Sequence, residues 1–126
     1  GDTGPFLLMI LPSPELADRF VAAVRAEGIS GPEGSLACLT MREWGLHWYS
    51  NIPSLVHKRS NAHDGFPWTH PSNAFAESYS YGFGQLPVCD DLHQRGAILT
   101  IASTLSEKDE RDIATAIRKV ADAILR

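Results

Sequence analysis

The 126-residue sequence has few of the features that mark membrane, secreted or nucleic-acid-binding proteins. Its longest apolar run, PFLLMIL, is far too short to span a bilayer, and it lacks the basic start and cleavage site of a signal peptide. The net charge is −4 and no basic run exceeds His57-Lys58-Arg59, so neither nucleic acid nor a membrane is an expected partner. The two cysteines, Cys38 and Cys89, are too few for a disulfide scaffold and lie in no CxxC spacing. We therefore expect two reduced thiols in a cytoplasmic protein.

The rest of the composition is that of an ordinary globular protein, with 44% apolar and 21% charged residues. The length predicts a single domain over residues 1–126. The chain opens GDTGPFLLMILP, without a methionine, and reaches a strand-like run within six residues. Such a start is expected of the middle of a polypeptide or of a processed or split subunit, although a cloning remnant would also explain Gly1.

The first thirty residues predict a strand followed by a helix. Residues 6–11 are continuously apolar, which indicates a strand buried on both faces or covered by helices. Ser13 is a good N-cap, and Pro14 suits the first helical position. Apolar residues then recur about every four positions until Gly28 ends the predicted helix.

The last third of the chain predicts a second such pair. Residues 90–95 indicate one or two helical turns, and AILTIAS at 97–103 reads as a buried strand. Ser106 caps the final helix and Asp109 can close a capping box. An apolar stripe at helical spacing follows along that helix: Ile113, Ile117, Val120 and Ile124. Together these elements predict an α/β or α+β fold, with a few strands and helices packed on one face.

The middle of the chain gives weaker signals. LACLTM at 36–41 suits a helix or a strand, and residues 46–51 contain strand-forming side chains. Residues 53–59 predict a short helix that starts at a proline. Residues 60–85 are rich in Asn, Ser, Pro, Gly and aromatics, and a loop of that length is usually functional or part of an interface.

Four of the five histidines fall between Gly45 and His70. They are His47, His57, His63 and His70, separated by ten, six and seven positions. None of these gaps matches an HxxxH or HExxH helix face and no CxxC accompanies them, so solvated or pocket-lining histidines are favoured over a metal site. The aromatic residues of the same stretch fit either a core or the wall of a pocket: Trp48, Tyr49, Phe66 and Trp68.

Catalytic motifs are equally scarce. Cys89 could pair with His93, or Ser50 with His47, but neither pair lies in a nucleophile elbow or another strong motif. The carboxylates Asp90–Asp91 are better interpreted as the start of a helix than as an acid–base pair. The sequence contains no Walker loop and no GxGxxG motif. These residues alone indicate an α/β domain with a polar, aromatic loop and no self-sufficient catalytic set.

Three segments together carry a family resemblance. They are GDTGPFLLMILP with its helix and AEGI, then GLHWYSNIPSLVHKR, and finally LPVCDDLHQRGAILTIASTLSEKDERDIATAIRKV. They resemble the opening, the short His/Tyr–Pro–His strand and loop, and the closing segment of the small C-terminal domain of the DegT–StrS family. These proteins are fold type I, pyridoxal-phosphate-dependent aminotransferases that make amino sugars and aminocyclitols. Cys89 stands where the family usually has Ser or Thr, and the match is loose over residues 60–81.

The resemblance implies a fold and a site. The fold would be a small mixed or antiparallel sheet of about three strands with helices packed on one face. The site residues would be His47, Tyr49 and Asn51 at the mouth of an active site, with His57 nearby, contacting the amino donor or the sugar. Packing of His47 and Tyr49 at an inter-domain seam is the alternative interpretation. No catalytic or metal-binding residue is implied.

The chain departs from the family at its lysines. The family's large domain carries the lysine that bonds the cofactor, whereas the only lysines here are Lys58, Lys108 and Lys119. Lys108 and Lys119 fall on a predicted surface helix, and Lys58 lacks the glycine-rich sequence that follows the family's lysine. A Schiff base at neutral pH needs a lysine that is desolvated or beside another cation. We therefore expect pyridoxal 5'-phosphate to be held by a partner domain or subunit, and this chain alone not to transaminate.

The leading hypothesis is thus a small domain, or a split small subunit, of an aminotransferase for a keto-sugar or keto-cyclitol in amino-sugar or antibiotic biosynthesis. Its partners would be a large, lysine-bearing domain or subunit, the sugar or cyclitol, and an amino donor. The alternative is a non-catalytic partner that uses the same fold to bind or regulate an aminotransferase. A fragment of a longer enzyme would differ from the leading hypothesis only in gene structure.

Overall fold

The structure, a computed structural model, describes residues 4–29, 38–45 and 48–125. These residues form two compact units. We call the first the sheet unit (Gly1–Trp44 with Asp91–Arg126) and the second the loop unit (Gly45–Asp90). That residues 1–126 act as a single domain stays a prediction.

The sheet unit is built on a three-stranded antiparallel sheet in the order β1-β3-β2. The strands are β1 (Phe6–Ile10), β2 (Cys38–Thr40) and β3 (Gly96–Thr100). The central strand β3 pairs Leu99 with Leu7 on one side and with Cys38 on the other. A small antiparallel sheet combined with helices makes the fold α+β, which confirms the predicted class at that level.

Five helices occur within the described residues. They are α1 (Pro14–Ala26), α2 (Met41–Trp44), α3 (Pro53–Val56), α4 (Pro87–Arg95) and α5 (Glu107–Ile124). None of them is both long enough and apolar enough to traverse a lipid bilayer. The described part of LACLTM forms strand β2 and the first residue of helix α2. The helix predicted from residue 53 is α3, which ends at Val56.

The two long helices begin as their sequences predict. The Ser13 hydroxyl accepts from the Leu16 amide at 3.2 Å, and Pro14 opens α1. Beyond its end lies Gly28 at φ +91°, a left-handed conformation that glycine adopts without strain. Ser106 and Asp109 form the capping box of α5. Local hydrogen bonds therefore fix where both helices start.

One face of the sheet is the core of this unit. Side chains alternate along a strand, so Ala97 and Leu99 share the face on which α1 and α5 contribute Phe20, Val24 and Val120. All five side chains are buried. Burying each of the large ones stabilises the fold by about 1.5–3 kcal/mol. The apolar stripe predicted for α5 lies on this side, with Ile113, Ile117 and Ile124 packed against the cluster.

The prediction that residues 6–11 are buried or covered is wrong for most of β1. Phe6, Leu8 and Ile10 share the opposite face of the sheet and are all exposed, as is Leu7. The reason is position: α1 and α5 pack on the other face of the sheet, where α1 lies against β2 and β3. Of the predicted run, Leu11 alone is fully buried.

The loop unit is mostly irregular, as its composition predicts. Apart from α3 and the first turn of α4 it contains three short 3₁₀ turns, at Tyr49–Asn51, Pro71–Asn73 and Ala76–Ser78. The strand predicted over residues 46–51 is therefore wrong for its described part. The Asn51 amide bonds to the Trp48 carbonyl at 2.8 Å, so a local turn satisfies this backbone in place of a neighbouring strand.

Candidate functional site

A buried carboxylate organises one end of the loop unit. Asp90 lies in the first turn of α4 and is only 3% exposed. The Tyr49 hydroxyl lies 2.9 and 2.8 Å from its two carboxylate oxygens, and the Trp48 indole N–H donates to Oδ1 at 3.2 Å. The Gly84 amide donates to Oδ2 at 2.8 Å. We call these four residues the Asp90 anchor.

Local sequence explains how the anchor forms. Gly84 has φ +94°, a conformation that suits glycine and that presents its amide to the carboxylate. Aspartate is also favoured in the first turn of a helix, where the helix dipole stabilises negative charge. The Tyr49 hydroxyl in turn accepts from the Leu86 amide at 3.3 Å. One carboxylate thereby holds the segment before α4 against the turn at Tyr49.

The ionisation states of the anchor suit a positioning role. Burial alone would raise the pKa of Asp90, but the hydrogen bonds from Tyr49, Gly84 and Trp48 outweigh it and hold that pKa below its usual range. Burial and the neighbouring carboxylate raise the pKa of Tyr49 above its usual value. At neutral pH Asp90 is therefore ionised and Tyr49 protonated. Both shifts move the pKa values further from pH 7. Acid–base catalysis, in contrast, favours a pKa near the working pH.

Next to the anchor, the loop unit contains a cleft of about 430 Å³. Its lining residues are Tyr49, Ser78, Tyr79, Ser80, Tyr81, Gln85 and Leu86. The described lining residues include no acidic, basic or imidazole side chain. The surface is thus neutral, aromatic and rich in hydroxyl groups.

Two of the tyrosines in the cleft also contact residues that do not line it. Tyr81 makes an edge-to-face contact with Trp68, with ring centroids 5.7 Å apart. Trp68 is buried, and its indole N–H donates to the Arg59 carbonyl at 3.0 Å. Tyr49 is held by the Asp90 anchor and contacts Trp48 at 5.7 Å between ring centroids. The half-buried rings of Tyr49 and Tyr81 are therefore rigid parts of the cleft.

The predicted site residues are distributed unevenly around this cleft. Tyr49 lines it. Asn51 does not line the cleft, and its side-chain amide donates to the Gly45 carbonyl at 3.0 Å. The exposed His57 does not line it either and follows α3 as its C-cap. His47 lies outside the described residues. The substrate contacts assigned to His47, Tyr49, Asn51 and His57 stay predictions.

The remaining histidines of the stretch do not converge. His63 is exposed, and His70 caps a 3₁₀ turn by accepting from the Ser72 amide at 3.2 Å. Asp64 lies 3.8 Å from the far nitrogen of the same ring. Over the part of the chain that the structure describes, no three His, Cys, Asp or Glu side chains lie close enough together to hold a metal ion.

Neither Asp90 nor the cleft wall formed by residues 78–81, 85 and 86 was predicted from the sequence. A signal for Asp90 was present, because Trp48 and Tyr49 are adjacent and each carries a polar group that needs a partner when buried. An acidic residue at a helix start was a suitable acceptor. No comparable signal marks residues 78–86, whose Ser, Tyr and Gly composition is that of an ordinary loop.

The two lysines of α5 occupy exposed ion pairs. Lys108 Nζ lies 2.6 Å from Asp112, and Lys119 Nζ lies 2.7 Å from Glu27. The hydrogen bond and charge of Asp112 raise the pKa of Lys108. A Schiff-base lysine needs the opposite shift, because only the neutral amine attacks an aldehyde.

Lys58 is no better suited. Its ammonium donates to the backbone carbonyl of Glu77, so the nitrogen is already engaged in a hydrogen bond. The exposed ion pairs of Lys108 and Lys119 likewise do not suit covalent attachment of pyridoxal phosphate.

Comparisons with models of known protein families, with curated proteins and with solved structures gave no match.

Proposed function

We propose that this chain is the small domain, or a separately encoded small subunit, of a pyridoxal-phosphate-dependent aminotransferase of the DegT–StrS type. It would act on a keto-sugar or keto-cyclitol in amino-sugar biosynthesis, together with a large domain or subunit that carries the cofactor. The proposal starts from the resemblance of the three segments, which covers nearly the whole chain. The α+β architecture supports it, because the resemblance implies a small antiparallel sheet of about three strands with helices packed on one face.

The observation that carries the proposal is the environment of the lysines. Lys108 and Lys119 are paired with carboxylates in solvent, and Lys58 is hydrogen-bonded to a carbonyl. The chemistry that pyridoxal phosphate supplies when bound is stabilisation of negative charge on the substrate carbon, and it depends on a reactive lysine. That lysine must then come from another region of polypeptide.

Exposed apolar surface supports a large protein partner. The face of β1 formed by Phe6, Leu8 and Ile10 is exposed on an edge strand. Contiguous apolar surface and unpaired strand edges are features that soluble proteins generally cover or put to use. Docking of a large domain would bury this surface.

The role of this chain in the reaction would be to bind and orient the acceptor. Tyr49 and the neutral residues of the cleft offer hydrogen bonds and aromatic faces without adding charge. Closing such groups over a substrate excludes water and fixes the reacting carbonyl relative to the cofactor, which lowers the entropic part of the barrier.

Reconstitution tests the proposal. The chain is mixed with an aminotransferase of this family from which the small domain has been removed, and turnover of a keto-cyclitol is measured. The expected result is recovery of activity on adding the chain, because the acceptor pocket is completed. No gain over the truncated enzyme alone would contradict the proposal.

Variants distinguish the proposal from a purely binding partner. His57→Ala should lower turnover with little effect on assembly, whereas His63→Ala, an exposed histidine in the same stretch, should change neither. His47→Ala and Tyr49→Phe test the other predicted contacts. If every one of these variants altered assembly alone, the non-catalytic partner would be favoured.

A further inference from the structure

The cleft of the loop unit contains residues that the predicted site does not use. We propose that the loop unit binds a neutral, cyclic polyol directly in this cleft, without cofactor or partner. Tyr79 and Tyr81 would supply its apolar faces, and Ser78, Ser80 and Gln85 its hydrogen bonds. The inference deepens the proposed function, on which it rests for the biological identity of the polyol.

The charge of the cleft selects the class of ligand. Phosphate and carboxylate groups are typically bound by arginine, lysine or clustered backbone amides, and no cationic side chain is among the described lining residues. A cationic ligand would likewise lack an acidic partner on the lining. A neutral ligand needs neither a cationic nor an acidic partner, so it binds this lining without leaving a charge unpaired.

The hydrogen-bonding groups favour hydroxyls. The hydroxyls of Ser78 and Ser80 can each donate and accept, and the Gln85 amide does both through different atoms. A ring hydroxyl has the same dual character, so a polyol can satisfy such a set with its groups in several orientations. A purely apolar ligand would leave these groups unpaired, which costs affinity.

The aromatic groups favour a ring. Tyr79 is 56% exposed at the edge of the cleft, and Tyr81 is half-buried against Trp68. The C–H face of a saturated ring packs against such aromatic surfaces while its hydroxyls remain available to the polar groups. The volume of about 430 Å³ falls in the range of about 300–1,000 Å³ of small-molecule sites.

The cleft is also organised in advance. Asp90 bonds both Tyr49 and the Gly84 amide, and so connects one wall of the cleft to the segment that carries Gln85 and Leu86. A preformed site avoids part of the ordering cost of binding. Asp90 is therefore a positioning residue for the cleft and makes no contact with the ligand.

Titration of the complete chain with myo-inositol tests the inference. Binding is followed by amide chemical shifts in NMR spectra, with residues 78–86 expected to respond and the α5 amides expected to stay unchanged. For a ligand of this size we expect a dissociation constant on the order of 1 mM. Myo-inositol 1-phosphate should bind no more tightly, because the lining offers its phosphate no cation.

Two variants locate the site. Tyr79→Ala removes an exposed ring and should weaken binding by about tenfold, and Gln85→Leu, which leaves the tyrosines in place, should also weaken it. Phe83→Ala is the control, because Phe83 is 62% exposed in the same segment but does not line the cleft. Near-UV circular dichroism checks that each variant keeps its fold.

Three results would overturn the inference: no response to myo-inositol, equal binding by the Tyr79→Ala and Gln85→Leu variants, or clearly tighter binding of the phosphate. Each differs from failure of the proposed function. A chain that binds the polyol but restores no turnover contradicts the aminotransferase proposal alone. A chain that restores turnover without binding the polyol by itself contradicts only the present inference.

Discussion

The sheet unit and the loop unit are each stabilised internally by a different kind of interaction. In the sheet unit, buried apolar side chains such as Phe20, Val24 and Leu99 form one core between helices and sheet. In the loop unit, polar side chains bond to the backbone or to each other, as in the Asp90 anchor and the bond from Trp68 to the Arg59 carbonyl. Apolar packing is non-directional, whereas a buried hydrogen-bond network requires each donor to meet its acceptor.

This difference matches the roles proposed for the two units. A packed core gives a stable scaffold, and a polar loop held at a few points can present hydroxyls and aromatic rings to a ligand. It also makes the two units respond differently to mutation. Core substitutions should lower global stability, and substitutions in the anchor should loosen the loop locally.

The largest effect is expected from Leu99→Ala. Leu99 is 2% exposed on the central strand, so its truncation leaves a cavity and should cost about 2–5 kcal/mol of unfolding free energy. Leu8→Ala is the control within the same sheet, because Leu8 is 53% exposed and should cost about 0.5 kcal/mol. Denaturant titrations measure both. Equal losses would show that β1 is as buried as β3.

Asp90→Asn should act locally. The amide cannot accept from Tyr49, Trp48 and Gly84 as strongly as the carboxylate, so we expect hydrogen exchange of the Gly84 amide to accelerate by about tenfold. Amides of β3 should be unaffected. Asp91→Asn is the neighbouring control, since Asp91 is exposed and pairs with Arg95. Similar exchange in both variants would contradict the anchor.

Acid should release the same anchor. The pKa of Asp90 lies lower in the folded chain than in the unfolded chain, so its stabilisation is complete above about pH 4 and is lost as the pH falls through the lower, folded value. Tryptophan fluorescence should report a transition in that acid range through Trp48. The transition should be absent from Asp90→Asn. If the acid transition persisted in that variant, it would have to arise from the titration of another group.

A smaller effect is expected at the start of α5. Ser106→Ala removes the cap of the Asp109 amide and should cost about 1 kcal/mol of unfolding free energy. Ser103→Ala, in the exposed turn just before, should change stability negligibly. The comparison is made by thermal denaturation. A neutral Ser106→Ala variant would mean that packing alone sets the start of this helix.

The sequence was sufficient where the signal is local or periodic. The caps at Ser13 and Ser106, the apolar stripe of α5 and a buried strand at β3 all follow from residue type and spacing along the chain. The predicted strand runs on to residue 103, whereas β3 ends at Thr100. The exposure of β1 could not be predicted in this way, because an apolar run gives no information on which face of its strand the helices cover. That depends on tertiary contacts between distant residues.

The loop unit shows the same limit more strongly. Asp90 and Tyr49 are 41 positions apart, and no periodicity connects them. The cleft residues 78–81, 85 and 86 acquire their role from turns and contacts that composition does not encode. A pair of aromatic residues with buried polar groups was the single usable clue, and it indicated an acceptor without identifying which acid would supply it.

The central claim is that this chain takes its reactive amine from another polypeptide region, and cofactor trapping tests it most directly. The isolated chain is incubated with an equimolar amount of pyridoxal phosphate, reduced with borohydride and mapped by peptide mass spectrometry. We predict no stoichiometric label at Lys58, Lys108 or Lys119. A yellow chain with one of these lysines fully modified would contradict the claim.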